Sequence, residues 1–392
     1  MQSCLFRQTA LTALLILACV TAGVIAGETK AVTVIKTPNG GIQPRSLTDA
    51  KGVLHLLYFL GDSGAGDLYY VRRRPGEKDF SGPLRVNNQR SSAVAIGTIR
   101  GGQIAVGKNG RVHVAWNGSS KALPRGPGRG SPMLYARLNE AGTAFEPQRN
   151  LMQTSEFLDG GGTVTADRTG NVLVAWHGLK TGTTPGENNR RVWVAVSHDD
   201  GKTFADEVPA FDQETGACGC CGMGAFTDSN GNHYLIYRAA GEHVNRDIWL
   251  LASSDWAKTF RGQNLHKWNV NVCPMSSEDF AEGPGTVYAA WDTKGQVYFA
   301  TIKPGGAVGE PQSAPGEGKA RKHPRLAVNK PGEAMLVWTE GTGWQRGGAL
   351  AWQIYDRQGR PTSLKGHVAN AIPVWGCAAV VTNADGTFTI FH

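Results

Sequence analysis

The sequence predicts an all-β protein, a β-propeller of four-stranded blades, and three observations lead there. First, a turn glycine followed by a short run of apolar and β-branched residues recurs seven times: Gly52-VLHLLYF, Gly110-RVHVAW, Gly170-NVLVAW, Gly231-NHYLIY, Gly285-TVYAAW, Gly332-EAMLVW and Gly386-TFTIF. Such runs favour strand, and glycine supplies the positive φ that a tight reversal needs. Second, these glycines stand 47 to 61 residues apart, the period of a propeller blade. Third, 52 of 392 residues are glycine, only 18% are charged and 11 are tryptophan, which excludes a coiled coil, a helical bundle and a disordered chain.

The elements follow in chain order. Residues 1–27 read as a secretory signal peptide: Arg7 in a short leading region, an apolar stretch from Leu11 to Val20, and small residues that suit cleavage after Ala26. Ile16-Leu17-Ala18-Cys19 also matches a bacterial lipobox, so acylation of Cys19 is an open alternative. Both readings put the protein outside the cytoplasm, secreted or periplasmic. Residues 28–392 form one domain with no later run long enough to span a membrane. The strand AVTVIK (31–36) is placed to complete the last unit, which otherwise has two strands, and to close the ring. The other six units continue into a third strand: 67–74, 133–139, 192–198, 248–254, 297–303 and 349–356. The Pro/Gly/Arg-rich stretch 121–130 reads as a surface loop.

The formal charge of +8 is spread along the chain without a polybasic block, so no nucleic-acid partner is expected. No phosphate-cradling glycine loop, HExxH or dinucleotide fingerprint occurs, so no nucleotide cofactor is expected either. His55, His113 and His233 fall inside strands and read as packing or surface residues.

After the third strand of the third unit comes Ser197-His198-Asp199-Asp200-Gly201-Lys202-Thr203-Phe204, which fits the Asp-box S-x-D-x-G-x-T-[FW]. The next unit repeats it from Ser253 to Phe260, with Asp255 and Thr259 in place and Ala257 where glycine belongs; 139–145 is an eroded third copy. The aspartate of such a turn caps backbone N–H groups and the aromatic packs between strands, so the motif is structural. On these boxes the chain resembles the sialidase (neuraminidase) superfamily of BNR-repeat propellers over nearly its whole length. That superfamily is typically six-bladed, whereas seven hairpins are counted here.

The resemblance implies a glycoside hydrolase of exo-sialidase type acting on an acidic, sialic-acid-like glycan. Sialidases grip the sugar carboxylate with three arginines and use an aspartate acid and a tyrosine nucleophile assisted by a glutamate. The matching candidates are Arg45, Arg238 and Arg325 for the substrate, and Asp62, Tyr355 and Glu340 for catalysis. The superfamily's aromatic-Arg-Ile-Pro sequence is absent, since Pro44-Arg45-Ser46 stands there.

A different chemistry rests on Cys218-Gly219-Cys220-Cys221 with Cys273 one unit later. Cys218 or Cys220 bonded to Cys273 would staple two blades. Alternatively, Cys218, Cys220, Cys221 and Cys273, with Met223, Met275, His177 or His323 nearby, form a soft site for copper or zinc, or a cysteine acts as a nucleophile. No cofactor is certain. A non-catalytic interaction propeller is the remaining reading. The partner expected first is an anionic carbohydrate, and the protein is expected to be a monomer.

Overall fold

The computed structural model describes residues 31–318 and 320–392. The leader, with its cleavage site and Cys19, lies outside them. The described residues form a seven-bladed β-propeller. The hairpin count, not the six blades usual in sialidases, gives the right number.

The innermost strands of the seven blades are Ile42–Thr48, Gln103–Val106, Gly162–Ala166, Met223–Thr227, Asp279–Gly283, Arg321–Val328 and Ala379–Thr382. They pack side by side in a closed ring around a central channel. Each runs antiparallel to a second strand, one of the seven glycine-led runs, and in the first six blades that strand pairs with a third at the expected positions. Five sheets have four strands, and the third blade adds Ser155–Glu156 beside its second strand. The seventh sheet is completed by Val32–Ile35, which pairs parallel with Phe388–Phe391. The two ends of the domain thus close the ring.

Seven apolar clusters fill the junctions, one between each pair of neighbouring blades, and a small eighth gathers Cys218, Cys221 and Ala240. Second-strand aromatics fill these junctions. Trp116, Trp176 and Trp291 are at most 1% exposed. Truncating such a side chain typically costs about 3–5 kcal/mol. His55 and His113 also lie here, each bonded through Nδ1 to a buried tyrosine hydroxyl, Tyr70 and Tyr135. His233 bonds Thr227 Oγ1. All three are packing residues.

The two Ser-x-Asp turns have one hydrogen-bond pattern. Asp199 accepts from Thr203 N at 2.8 Å and Thr203 Oγ1 at 2.7 Å; Asp255 accepts from Thr259 N at 3.0 Å and Thr259 Oγ1 at 2.6 Å. Ser197 and Ser253 Oγ each receive the N–H of the fourth residue on, Gly201 and Ala257. That residue has φ of 72° and 57° respectively, so Ala257 occupies a left-handed position that glycine fills in the first copy. Phe204 and Phe260 pack on neighbouring junction clusters. Among the described residues no helix is long and apolar enough to cross a membrane.

Candidate functional site

Two local sequences aim charge into the channel. In Gln43-Pro44-Arg45 and His323-Pro324-Arg325 the first residue is left-handed, with φ of 51° and 54°. Both innermost strands shift register at this point, between Ile42 and Arg45 and between Lys322 and Arg325. Proline has no N–H for the ladder, so the strand bulges there and the next side chain is re-aimed. The two bulges place Arg45 and Arg325 on the wall of one cavity of about 170 Å³, lined by all seven innermost strands.

The same wall carries Gln103, Glu278 and Asp279. Neither Arg45 nor Arg325 has a carboxylate oxygen within 4.0 Å among the described residues. Arg325 instead donates to the carbonyls of Pro324 at 2.8 Å and Glu278 at 3.4 Å, and its Nε is buried without a protein partner. Glu278 receives Ser276 Oγ at 3.2 Å, and its Oε2 is also unpartnered. Burial, and secondarily the Arg325 guanidinium, pull Arg45 down to about 10. Burial pushes Glu278 well above the usual carboxylate range and raises Asp279 as well. Burial in the collar thus works against the charged form of Arg45 as well as of both acids.

The first residues of the innermost strands and the segments that precede them form the rim. His323, 3% exposed, accepts or donates through Nδ1 to Ser277 Oγ at 3.1 Å. Burial, and after it the charges of Lys322, Arg325 and Arg45, pushes its imidazole well below the usual range. Gln43 donates to the carbonyls of Ala95 and Trp375 and so ties three rim segments together. Trp375 meets Trp344 edge to face at 4.8 Å between centroids, and Trp344 is 57% exposed. A small recess beside them is lined by Thr98, Met275, Lys322 and His323.

Of the three candidate arginines, the structure brings together two. Arg238 is 1% exposed and lies off the channel wall. Its guanidinium is used by Ser276 Oγ at 2.8 Å and by the carbonyls of Arg246 and Asp292, with the Trp268 ring 5.1 Å from its centre. It braces a hairpin. Tyr355 and Glu340 do not meet: across one pair of strands Glu340 faces Ala349 and Tyr355 faces Ala334, at opposite ends of the ladder. Tyr355 packs against Phe299 in the junction core, where burial raises its hydroxyl, while Glu340 holds Arg321 at 3.1 Å and Trp338 Nε1 at 2.8 Å. Asp62 is exposed at the tip of the first blade and caps Gly64 N at 2.8 Å. Glu278 and Asp279 were missed, although Ser276-Ser277-Glu278-Asp279 leads into its strand as Gln43-Pro44-Arg45 leads into another.

The cysteines gather beside the rim. Cys220 and Cys273 form a disulfide linking the segments that precede the fourth and fifth innermost strands. Cys218 Sγ lies 3.4 Å from Cys220 Sγ and 3.0 Å from Cys221 Sγ. Cys218 and Cys221 are buried thiols, so two of the four expected soft ligands are in a disulfide and two are free. The sulfurs of Cys218, Cys220 and Cys221 lie within 4.8 Å of one another. The loop's backbone joins neighbours on both sides: Gly160 N donates to Gly219 O, Gly222 N to Ser276 O, and Cys221 O meets His177 Nε2 at 3.2 Å.

No protein-family model and no curated protein sequence matches this chain. Solved structures do match in shape. A protein of unknown function from Dyadobacter fermentans superposes with a TM-score of 0.53 at 11% identity, covering 86% of this chain and 97% of that one. A family PL25 ulvan lyase bound to -[GlcA(1-4)Rha3S]- gives 0.50 at 12% identity, over 83% of each chain. The Trypanosoma rangeli sialidase in complex with DANA gives 0.48 at 12% identity, over 76% of this chain and 55% of that one. At such identities the likeness is one of fold.

Proposed function

We propose that the protein binds an anionic glycan at the channel mouth, with Arg45 and Arg325 receiving a carboxylate or sulfate of the sugar. One observation carries this reading: two guanidiniums from different blades share a cavity, and neither has a carboxylate partner within 4.0 Å among the described residues. Buried cations without a directly paired carboxylate are costly, and an incoming anion offsets that cost while matching the guanidinium forks. Trp344, exposed at the rim, offers a face on which a sugar ring stacks. The ulvan lyase neighbour, of the same fold, is bound to an acidic sulfated disaccharide. The sialidase-type boxes at 197–204 and 253–260 agree with a relation to glycan-processing propellers. The disulfide suits an extracellular or periplasmic location.

Hydrolysis is the finer reading. The described structure separates Tyr355 from Glu340, so Glu278 is the better proton donor: it sits on the arginine-bearing wall and burial favours its protonated form. The test is titration calorimetry with sialic acid, uronate-containing and sulfated oligosaccharides and their neutral counterparts, followed by product analysis. Binding that prefers the charged sugars and is lost in Arg325→Met supports the proposal. Equal binding of neutral sugars, or full retention in that variant, overturns it.

A further inference from the structure

Outside the arginine collar, the densest unexplained chemistry is the sulfur cluster. The exposed member is Cys273, disulfide-bonded to the half-buried Cys220. Behind this bond lie two thiols, Cys218 at 0% and Cys221 at 1% exposure. The sulfurs form a chain of contacts, with Cys221 3.0 Å from Cys218 and Cys218 3.4 Å from Cys220. Burial works against charge on Cys221, but contact with Cys218, the charge of Arg238 and the Ser276 N–H, which donates to Cys221 Sγ at 3.5 Å, together lower it, whereas contact with Cys221 and burial push Cys218 well up and keep it the protonated partner. Arg190 and Arg246 lie beside Cys218. Glu187 fixes the loop by accepting Gly219 N at 2.6 Å and pairing with Arg246 at 2.6 Å. A dithiol in sulfur contact with a disulfide, ringed by guanidiniums, is poised for thiol–disulfide exchange.

We infer that Cys218, Cys220, Cys221 and Cys273 form an exchange centre that moves the disulfide from the exposed Cys220–Cys273 pair to the buried Cys218–Cys221 pair. In the first step the Cys218 sulfur attacks Cys220 Sγ, its proton passes to the Cys221 thiolate, and the Cys220–Cys273 bond breaks to release the Cys273 thiolate. The Cys221 proton then passes through solvent to Cys273. In the second step the Cys221 thiolate attacks Cys218 Sγ, and the Cys218–Cys220 bond breaks to release the Cys220 thiolate. One disulfide, one thiol and one thiolate stand on each side, so no outside oxidant or reductant is needed. The exchange unfastens the fourth blade's rim segment from the fifth. It also leaves Cys273 as an exposed thiol, open to a partner thiol or disulfide.

The experiment is site-resolved thiol labelling on the full chain, folded and without reductant. Samples are incubated at neutral pH, quenched in acid, alkylated with N-ethylmaleimide and mapped by peptide mass spectrometry. Cys377, a buried thiol remote in sequence, serves as reference after unfolding. The expected result is label gained at Cys220 and Cys273 and lost in equal measure at Cys218 and Cys221. In Cys218→Ser, and in Cys218→Ala should the serine disturb folding, label at Cys273 should appear at least about tenfold more slowly. Cys273 that never takes label, or takes it equally fast without Cys218, overturns the inference. So does a stoichiometric soft metal that shields Cys218 and Cys221 from label, which would make the cluster a metal centre.

Discussion

The turns at 197–204 and 253–260 and the collar around the channel use the same kinds of charged residue under opposite conditions. In the turns, each aspartate oxygen is matched to a nearby N–H or hydroxyl, and this bonding holds Asp199 at about 2, well below the usual carboxylate range. In the collar, Arg325 Nε and Glu278 Oε2 are buried without partners among the described residues, and burial drives Glu278 upward. Satisfied charge stabilises a turn and asks for nothing further. Unsatisfied charge costs stability in the free protein and is returned when a ligand arrives. The contrast separates the residues that build this propeller from those that give it something to do.

The largest expected effect comes from removing collar charge. Arg325→Met should weaken anionic-sugar binding roughly 10- to 100-fold, the worth of charge-assisted hydrogen bonds, while the melting temperature stays level or rises. Calorimetry and thermal unfolding on one sample check both halves. Next is the pH response. The fold favours protonated Glu278, so stability is highest below its unfolded pKa and falls as pH rises from there toward the raised value. Ionised Glu278 also competes for the ligand's place in the collar, so affinity should fall once pH passes the raised value, by at most about tenfold per pH unit. Glu278→Gln should flatten both profiles.

On the other side of the comparison, Asp199→Ala should cost about 1 kcal/mol of stability, as lost caps do, and leave binding unchanged. The Asp199 contribution has the opposite pH sign to that of Glu278: it is present at neutral pH and lost as pH falls through about 2. Acid unfolding of the wild type and the variant should therefore converge at low pH. Within the collar a smaller effect than that of Arg325→Met is expected from Trp344→Ala, which removes an exposed stacking face and should weaken binding about three- to tenfold. If Asp199→Ala impaired binding as much as Arg325→Met, the separation of roles would fail.

The hairpins were legible in the sequence because strand alternation and turn glycines are local properties, and seven copies reinforce one another. The pairing of Arg45 with Arg325 was legible for a related reason: Pro-Arg occurs at matching positions in two blades, and the bulge travels with it. Arg238 looked equivalent but is not, because Ser276 and the carbonyls of Arg246 and Asp292 capture it first. Those partners come from other segments and leave no mark near residue 238. Tyr355 illustrates the same limit, since a strand residue faces core or solvent according to its neighbours in three dimensions. Glu278 and Asp279 carry no motif at all; their character comes from burial among the six other blades' innermost strands. The cysteine cluster announced itself, but C-x-C-C with one distant partner admits several pairings, and only geometry selects Cys220–Cys273.

The parallel ladder that joins Val32–Ile35 to Phe388–Phe391 also sets a timetable. A ribosome releases the first of these strands long before the second, so for most of synthesis the seventh blade lacks the strand that residue 32 must meet. The last junction core, between the seventh blade and the first, contains Ile35 and Phe391 together and forms only when both are present. Such long-range pairing is slow to find, and until then the first and sixth blades each present a raw flank. A chaperone or an export channel that holds the chain extended would protect those flanks. A circular permutant with residues 392 and 31 joined and new ends cut in the 121–130 loop would carry the vulnerable seam to a different pair of blades.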